Sequence, residues 1–280
     1  MSSESFADHL RAWRERRGLS QLALAGQAGI SQRHISFLEL GRSRPSREMV
    51  DRLAIALGVP LRQHNELLLA AGFAPEWHER DLAAPDMSAV TSALDYILKQ
   101  QEPYPAVVVD RHWNLLRSND GAARLVEFLT GPTAPGAAVN LADALVGPDG
   151  LKPHLRNWPE VVRHFIRSIE ADAAVDGWPE TAALLKRLLG YRGVRAALRQ
   201  ESAGGDAGPV LPMHFHKDGK EITLFTTIAT LGTPQDVTAA EIRIESFFPM
   251  DAATQKLMHD WAREGVRATR TVALSTSGGL

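Results

Sequence analysis

Apolar residues recur at helical spacing through the first 72 positions, whereas the last third of the chain alternates apolar and polar residues at the period of a strand. Phe6, Leu10 and Trp13 share one helical face, and Arg16, Arg17 and Gly18 close that helix with basic residues and then a glycine, as the helix dipole and left-handed caps favour. Ser20 opens a second helix carrying Leu22, Leu24 and Ala25, and Gly29 supplies a sharp turn. Ser31 opens a third helix over 32–40, stopped by Gly41; a fourth runs from Ser46 to Gly58 and a fifth over 61–71. Five short helices with such short connections predict a compact all-α bundle.

Between Pro75 and Pro85 the periodicity lapses, which marks a linker. A helix is expected over 87–100, short strands at 106–110 and near 113–117, and helices over 120–129, 158–174 and 179–189. Three strands follow, at 210–216, 222–230 and 242–248, the first two joined by a hairpin at Lys217 to Lys220. This order predicts an α+β domain with an antiparallel sheet of about five strands, one face covered by helices. The expected organisation is a bundle over 1–74, a linker over 75–86, an α+β domain over 87–268 and a polar tail over 269–280.

Charge sharpens the function of the first part. Residues 1–72 hold ten arginines against seven acidic residues, a net +3 inside a chain of net −2. A solvated basic surface explains that bias as readily as DNA does, so the pattern of the third helix carries the argument. Ile35 and Leu38 mark its apolar face, leaving Gln32, Arg33, Ser36 and Phe37 outward. Gln32 can offer a bidentate amide to adenine, Arg33 can fork onto guanine and Phe37 can touch a thymine methyl. Ser31 caps the helix and leaves backbone donors at its start, while Gln21, Arg42 and Arg44 are placed to hold phosphates.

Leu19-Ser20-Gln21, Ala28-Gly29-Ile30-Ser31, Ile35-Ser36 and the run Glu39-Leu40-Gly41-Arg42-Ser43-Arg44-Pro45-Ser46, followed by Leu53 to Val59, resemble the Cro and phage-repressor type of helix-turn-helix regulator, also called the xenobiotic-response-element family. The resemblance implies that Gln21, Gln32, Arg33 and Ser36 meet DNA and that Glu39 supports the fold by pairing with a basic residue of the first helix, here Arg14. Ala23 stands where the family commonly has an acidic residue, leaving the second helix with an incomplete capping box.

Pro105 to Trp113, Asn119, and Asn157-Trp158 with the helix that follows resemble the ligand-binding domain of methylenomycin-regulator-like (MmyB-like) regulators, whose fold is similar to PAS domains. That resemblance implies a homodimer and a small apolar or fatty-acid-like ligand. Trp113, Trp158, Phe165, Phe215 and Phe225 are the candidates to line its cavity, although each taken alone reads as ordinary core. A two-fold dimer would read a palindromic operator in double-stranded DNA.

Other classes find little support. No glycine-rich nucleotide loop, nucleophile–base set or cysteine is present, so neither an enzyme nor a cofactor is expected. His214 and His216 share a strand face and His259 is the third candidate ligand, but no acidic residue at ligand spacing accompanies them, and no metal is expected. An antitoxin or adaptor would carry a short partner-binding segment in place of a large folded domain. With no long apolar run and no leader pattern, the expected protein is cytoplasmic and free of the membrane.

Overall fold

Ser5, Ser20, Ser31 and Ser46 each accept a hydrogen bond at the side-chain oxygen from the backbone N–H three residues on, and with these caps four helices begin: α1 (Phe6–Arg16), α2 (Gln21–Ala28), α3 (Gln32–Glu39) and α4 (Arg47–Leu57). Ser5 and Asp8 complete a reciprocal capping box, whereas Ser20 caps α2 alone, since Ala23 has no side chain to reach back. A fifth helix, α5 (Leu61–Ala70), starts directly after Pro60. Gly29 closes α2 at φ +65°, a left-handed conformation that lets the chain reverse within three residues before α3. Leu10, Leu24, Ile35, Leu53 and Leu68 meet in the core of the bundle.

A computed structural model of the chain describes residues 5–132, 138–200 and 208–276. It divides into two compact units, one holding residues up to 81 with 169–182 and 232–240, the other holding 82–168, 183–231 and 241 onward. In the first unit the segment after α5 is irregular but held in place. The Asn65 side-chain oxygen accepts from the N–H groups of Glu76 and Trp77 at 2.9 and 3.0 Å, and its amide donates to the Trp77 carbonyl at 2.7 Å. The Arg80 guanidinium donates to Asp236 at 3.0 Å.

The second unit begins with α6 (Ser88–Gln100), followed by β1 (Ala106–Val109), β2 (Leu115–Ser118), α7 (Asp120–Thr130) and α8 (Leu141–Val146). Next come α9 (Trp158–Asp176) and α10 (Pro179–Gly190), whose ends pass into the first unit, then α11 (Val194–Arg199), β3 (Met213–Lys217) and β4 (Lys220–Ala229). A short α12 (Val237–Glu241) precedes β5 (Arg243–Pro249) and α13 (Ala252–Thr276). The hairpin between β3 and β4 turns on Asp218 and Gly219, both at positive φ, as a two-residue hairpin of matching twist requires. The strands form an all-antiparallel sheet in the order β2-β1-β5-β4-β3, the PAS-like α+β domain expected from the resemblance.

Helices cover both faces of this sheet, not one. Ala106, Val108, Ile242 and Ile244 pack on Leu94 and Leu98 of α6, and α13 packs on β4 and β5. The opposite face, with Val107, Phe215, Thr226 and Glu245, looks toward α7, α8 and α9. Here α8, α11 and α13 appear where the sequence pattern assigned no helix, and α13 carries regular structure to Thr276, into the stretch expected to be a polar tail.

Candidate functional site

In the first unit the site is built on α3. Ile35 and Leu38 are buried in the bundle, so their neighbours half a turn away face out: Ser31, Gln32 and Arg33 are exposed, Ser36 and Phe37 half-buried. The Arg33 guanidinium lies 5.1 Å from the centroid of the Phe37 ring, one helical turn on, a cation–π contact that holds both side chains along the surface. Arg42 and Arg44 stand exposed in the loop after Gly41.

A buried ion pair fixes the angle of this helix. Arg14 of α1 donates to both carboxylate oxygens of Glu39, at 2.6 and 3.0 Å, and to the Leu19 carbonyl at 2.9 Å. That hydrogen-bonded carboxylate holds the Arg14 guanidinium above its ordinary value. Gln21 also spends its amide on Glu39, at 2.9 Å. Its role inside the molecule is therefore to tie the start of α2 to the end of α3.

In the second unit a cavity of about 340 Å³ lies between the sheet and α7, α8 and α9. Trp113, Phe165 and Phe215 are on its wall, with the Trp113 and Phe165 rings edge to face at 4.7 Å. Trp113 arrives there through a turn and not a strand. The Asp110 carboxylate accepts from the N–H groups of His112 and Asn114 at 2.8 and 2.9 Å, and this tight loop forces Trp113 to φ +67°, unusual for so large a residue. Its indole N–H is buried with no hydrogen-bond partner among the described residues.

Trp158 and Phe225 are not on the wall. The Trp158 indole donates to the Leu145 carbonyl at 2.9 Å and carries the Lys152 ammonium on its ring at 4.1 Å, so it serves as a packing anchor for α9. Phe225 sits on the other face of the sheet, stacked on Phe248 at 5.3 Å. The hairpin register explains the difference: Phe215 pairs with Ile222, which places even-numbered residues of β4 on the cavity side and Phe225 away from it. His214 and His216 share Phe225's face. His214 lies 3.4 Å from the Thr223 hydroxyl and His259 3.3 Å from that of Tyr104, and no set of three potential metal ligands gathers among the described residues.

The sequence pattern missed one wall residue of consequence. Glu245 stands half-buried on the cavity side of β5, where it lines the wall, and accepts a hydrogen bond from the Thr226 hydroxyl. Burial pushes its carboxyl up to about 7, and the hydroxyl offsets only part of that. Read as Ile242-Arg243-Ile244-Glu245, the strand places its isoleucines inward and its charges toward water. Because β5 is the central strand of a sheet covered on both faces, its outward residues are half-buried and do not face open water. Asn119 and Asn157, by contrast, are structural clamps. Asn119 accepts from Ala106 and Ala122 and donates to Tyr104 and Leu98, and Asn157 ties α9 to the segment entering β3.

Residues 90–260 match the family model of the MmyB-like transcription regulator ligand binding domain, and residues 10–63 match that of the helix-turn-helix. An uncharacterized HTH-type transcriptional regulator of Mycobacterium tuberculosis is 35% identical over 112 residues, 40% of this chain and 40% of the relative. The HTH-type transcriptional repressor RghR of Bacillus subtilis is 40% identical over 77 residues, 27% of this chain and 55% of that protein. These matches thus span about half or less of the length of the relatives. Among solved structures, an RNA-binding light-oxygen-voltage receptor aligns at 12% identity and a TM-score of 0.30, covering 93% of this chain and 62% of that one. A likeness that low carries no argument. Among the described residues no helix is long and apolar enough to cross a membrane.

Proposed function

Because the chain belongs to the family of transcription regulators with an MmyB-like ligand-binding domain, we propose that it binds duplex DNA sequence-specifically through α3 and that a small, mainly apolar molecule in the cavity of the second unit alters that binding. The observation that carries the reading is the division of α3, whose apolar side is locked into the bundle by Ile35, Leu38 and the Arg14–Glu39 pair while Gln32, Arg33, Ser36 and Phe37 stay at the surface. Gln32 and Arg33 supply bidentate base readers, Ser31 and the free backbone donors after it supply a phosphate or base-edge contact, and Arg42 and Arg44 neutralise phosphate. Gln21 acts chiefly by holding α2 against Glu39. The working unit is a homodimer on a palindromic operator, with dimerisation in the part after residue 86, since a single reading helix covers few base pairs.

The test is selection of binding sequences from random duplexes at a stated salt concentration, followed by titration of full-length protein. A preferred sequence supports the reading, and no preference over bulk DNA overturns it. Arg33→Ala should then lose discrimination at one or two base pairs, by about 1–3 kcal/mol, whereas Arg42→Ala should weaken all sequences alike and lower the salt slope. The second reading makes the C-terminal domain only a dimerisation or protein-interaction platform. The cavity favours sensing over that, because a platform would gain stability from a filled core.

A further inference from the structure

Resting on the reading of the cavity as a ligand site, we propose that its ligand is a lipophilic amine, an apolar body with one cationic head, and that the carboxylate of Glu245 is the head-group acceptor. The wall offers a cation an acid and aromatic faces, whereas its donors to an anion are the unpartnered Trp113 indole N–H and the neutral-or-charged ring of His164. Four aromatic residues, Trp113, Phe165, Phe215 and Phe247, contribute to it, and no lysine or arginine does among the described residues. Aromatic faces attract cations, so the ring-lined wall and the acid act with the same sign.

Glu245 itself is the unusual feature. Glu245 is half-buried at the cavity wall on the middle strand of the sheet, and a carboxyl drawn partly out of water ordinarily has a basic partner, because a charge with reduced solvation and no counter-charge is unfavourable. Here its described partner is the neutral Thr226 hydroxyl, and burial leaves it near the midpoint of its titration at neutral pH. Arg243, two residues along the same strand on the same face, is turned over the Trp113 ring at 5.8 Å and is not on the wall. His164 of α9 is the other titratable wall residue; β1, β3, β4, α7 and α8 add none among the described residues. An entering ammonium would supply a counter-charge that no described lysine or arginine of the wall supplies, whereas an entering carboxylate would require Glu245 to keep its proton.

The two cases differ in the sign of their pH dependence, which needs no variant to observe. Alkylammonium and simple carboxylate groups keep their charge from pH 6 to 8, so the change across that range comes from the protein. Three probes of nearly equal shape, 4-phenylbutylamine, 4-phenylbutan-1-ol and 4-phenylbutyrate, are titrated calorimetrically into the full chain at pH 6, 7 and 8. The expected result is that the amine binds most tightly at pH 8, with affinity rising about tenfold from pH 6 as Glu245 loses its proton, and with proton release on binding. His164 shares the wall with Glu245, so Glu245→Gln assigns the effect. It should remove most of the slope and weaken the amine at least tenfold at pH 8, while the alcohol changes less than about threefold.

An amine that binds no better than the alcohol, or that is indifferent to Glu245→Gln, overturns the proposal and leaves the cavity a site for a different ligand. Affinity for phenylbutyrate that exceeds that of the amine and falls with pH overturns it as well. If none of the three binds, the amine proposal falls together with the ligand-site reading. If the amine binds with this profile but operator affinity does not move, head-group selection stands and the regulatory reading fails.

Discussion

The two faces of the five-stranded sheet are built from alternate residues of the same strands, yet one is packed and the other holds a cavity. On the α6 side, Val108 and Ile244 are almost wholly buried against Leu94 and Leu98, and Phe225 stacks on Phe248. On the α7–α9 side, Val107 and Glu245 border about 340 Å³ beside Trp113, Phe165 and Phe215. A one-residue step along β1 or β5 moves a side chain between these environments. The contrast teaches that the chain has the apolar residues to fill a sheet face and has placed on the other a strained tryptophan and a half-buried acid instead.

Breaking the packed face should have the largest effect. Ile244→Ala removes a side chain from a filled cluster, so a loss of about 2–5 kcal/mol is expected in denaturant unfolding. Leu125→Ala, on the cavity side, removes atoms that already lack neighbours on one side and should fall at the bottom of that range or below it. Equal losses would mean that the cavity closes in solution.

Glu245→Gln sharpens the contrast through pH. The carboxyl is pushed up to about 7 from an ordinary value of 4.5, so the folded protein holds this proton more tightly than the unfolded chain. Its contribution is therefore present below about pH 4.5 and is lost as pH rises through 7, by on the order of 3 kcal/mol. Relative to the wild type, the glutamine variant should be more stable at pH 8 and lose that advantage toward pH 4.5. A difference that does not vary with pH would place the carboxylate in contact with water.

A smaller gain is expected from filling the cavity. Val126→Phe should raise stability by about 0.5–2 kcal/mol if the ring fits, and should abolish binding of the amine and alcohol probes together. The smallest effect belongs to Phe225→Ala, which should change stability but leave probe affinity within twofold, because its ring lies on the far face of the sheet. Phe215→Ala, from the neighbouring strand, should alter affinity directly. If the two behave alike in the binding assay, the register that separates them is wrong.

The bundle was the most legible part of the molecule. Its signals are local: Ser31 caps α3 through its own side chain, Gly29 reverses the chain by its own φ, and Ile35 and Leu38 show which side of α3 is buried. Even the Arg14–Glu39 pair was implied by family resemblance before the geometry joined the two. The helices α8 and α11 are six residues each, too short for a period to declare itself. The apolar pattern extends the second strand to Trp113, whereas its positive φ comes from a loop closed by hydrogen bonds to Asp110, which no apolar pattern records.

The chain by itself determined the division into a helical bundle and an α+β part, the strands and most of the helices, the exposed face of α3 and the aromatic residues available for a cavity, since each follows from spacing and capping within a few residues. Which aromatics line the cavity, and that a glutamate stands among them, only the tertiary structure decided. Strand order made β5 the central strand, the hairpin register set the face of each residue, and helices on both sides removed the solvent-facing side that an alternating sequence otherwise implies. Burial is a property of what covers a residue, and for Glu245 the cover comes from helices more than 75 residues away in the chain.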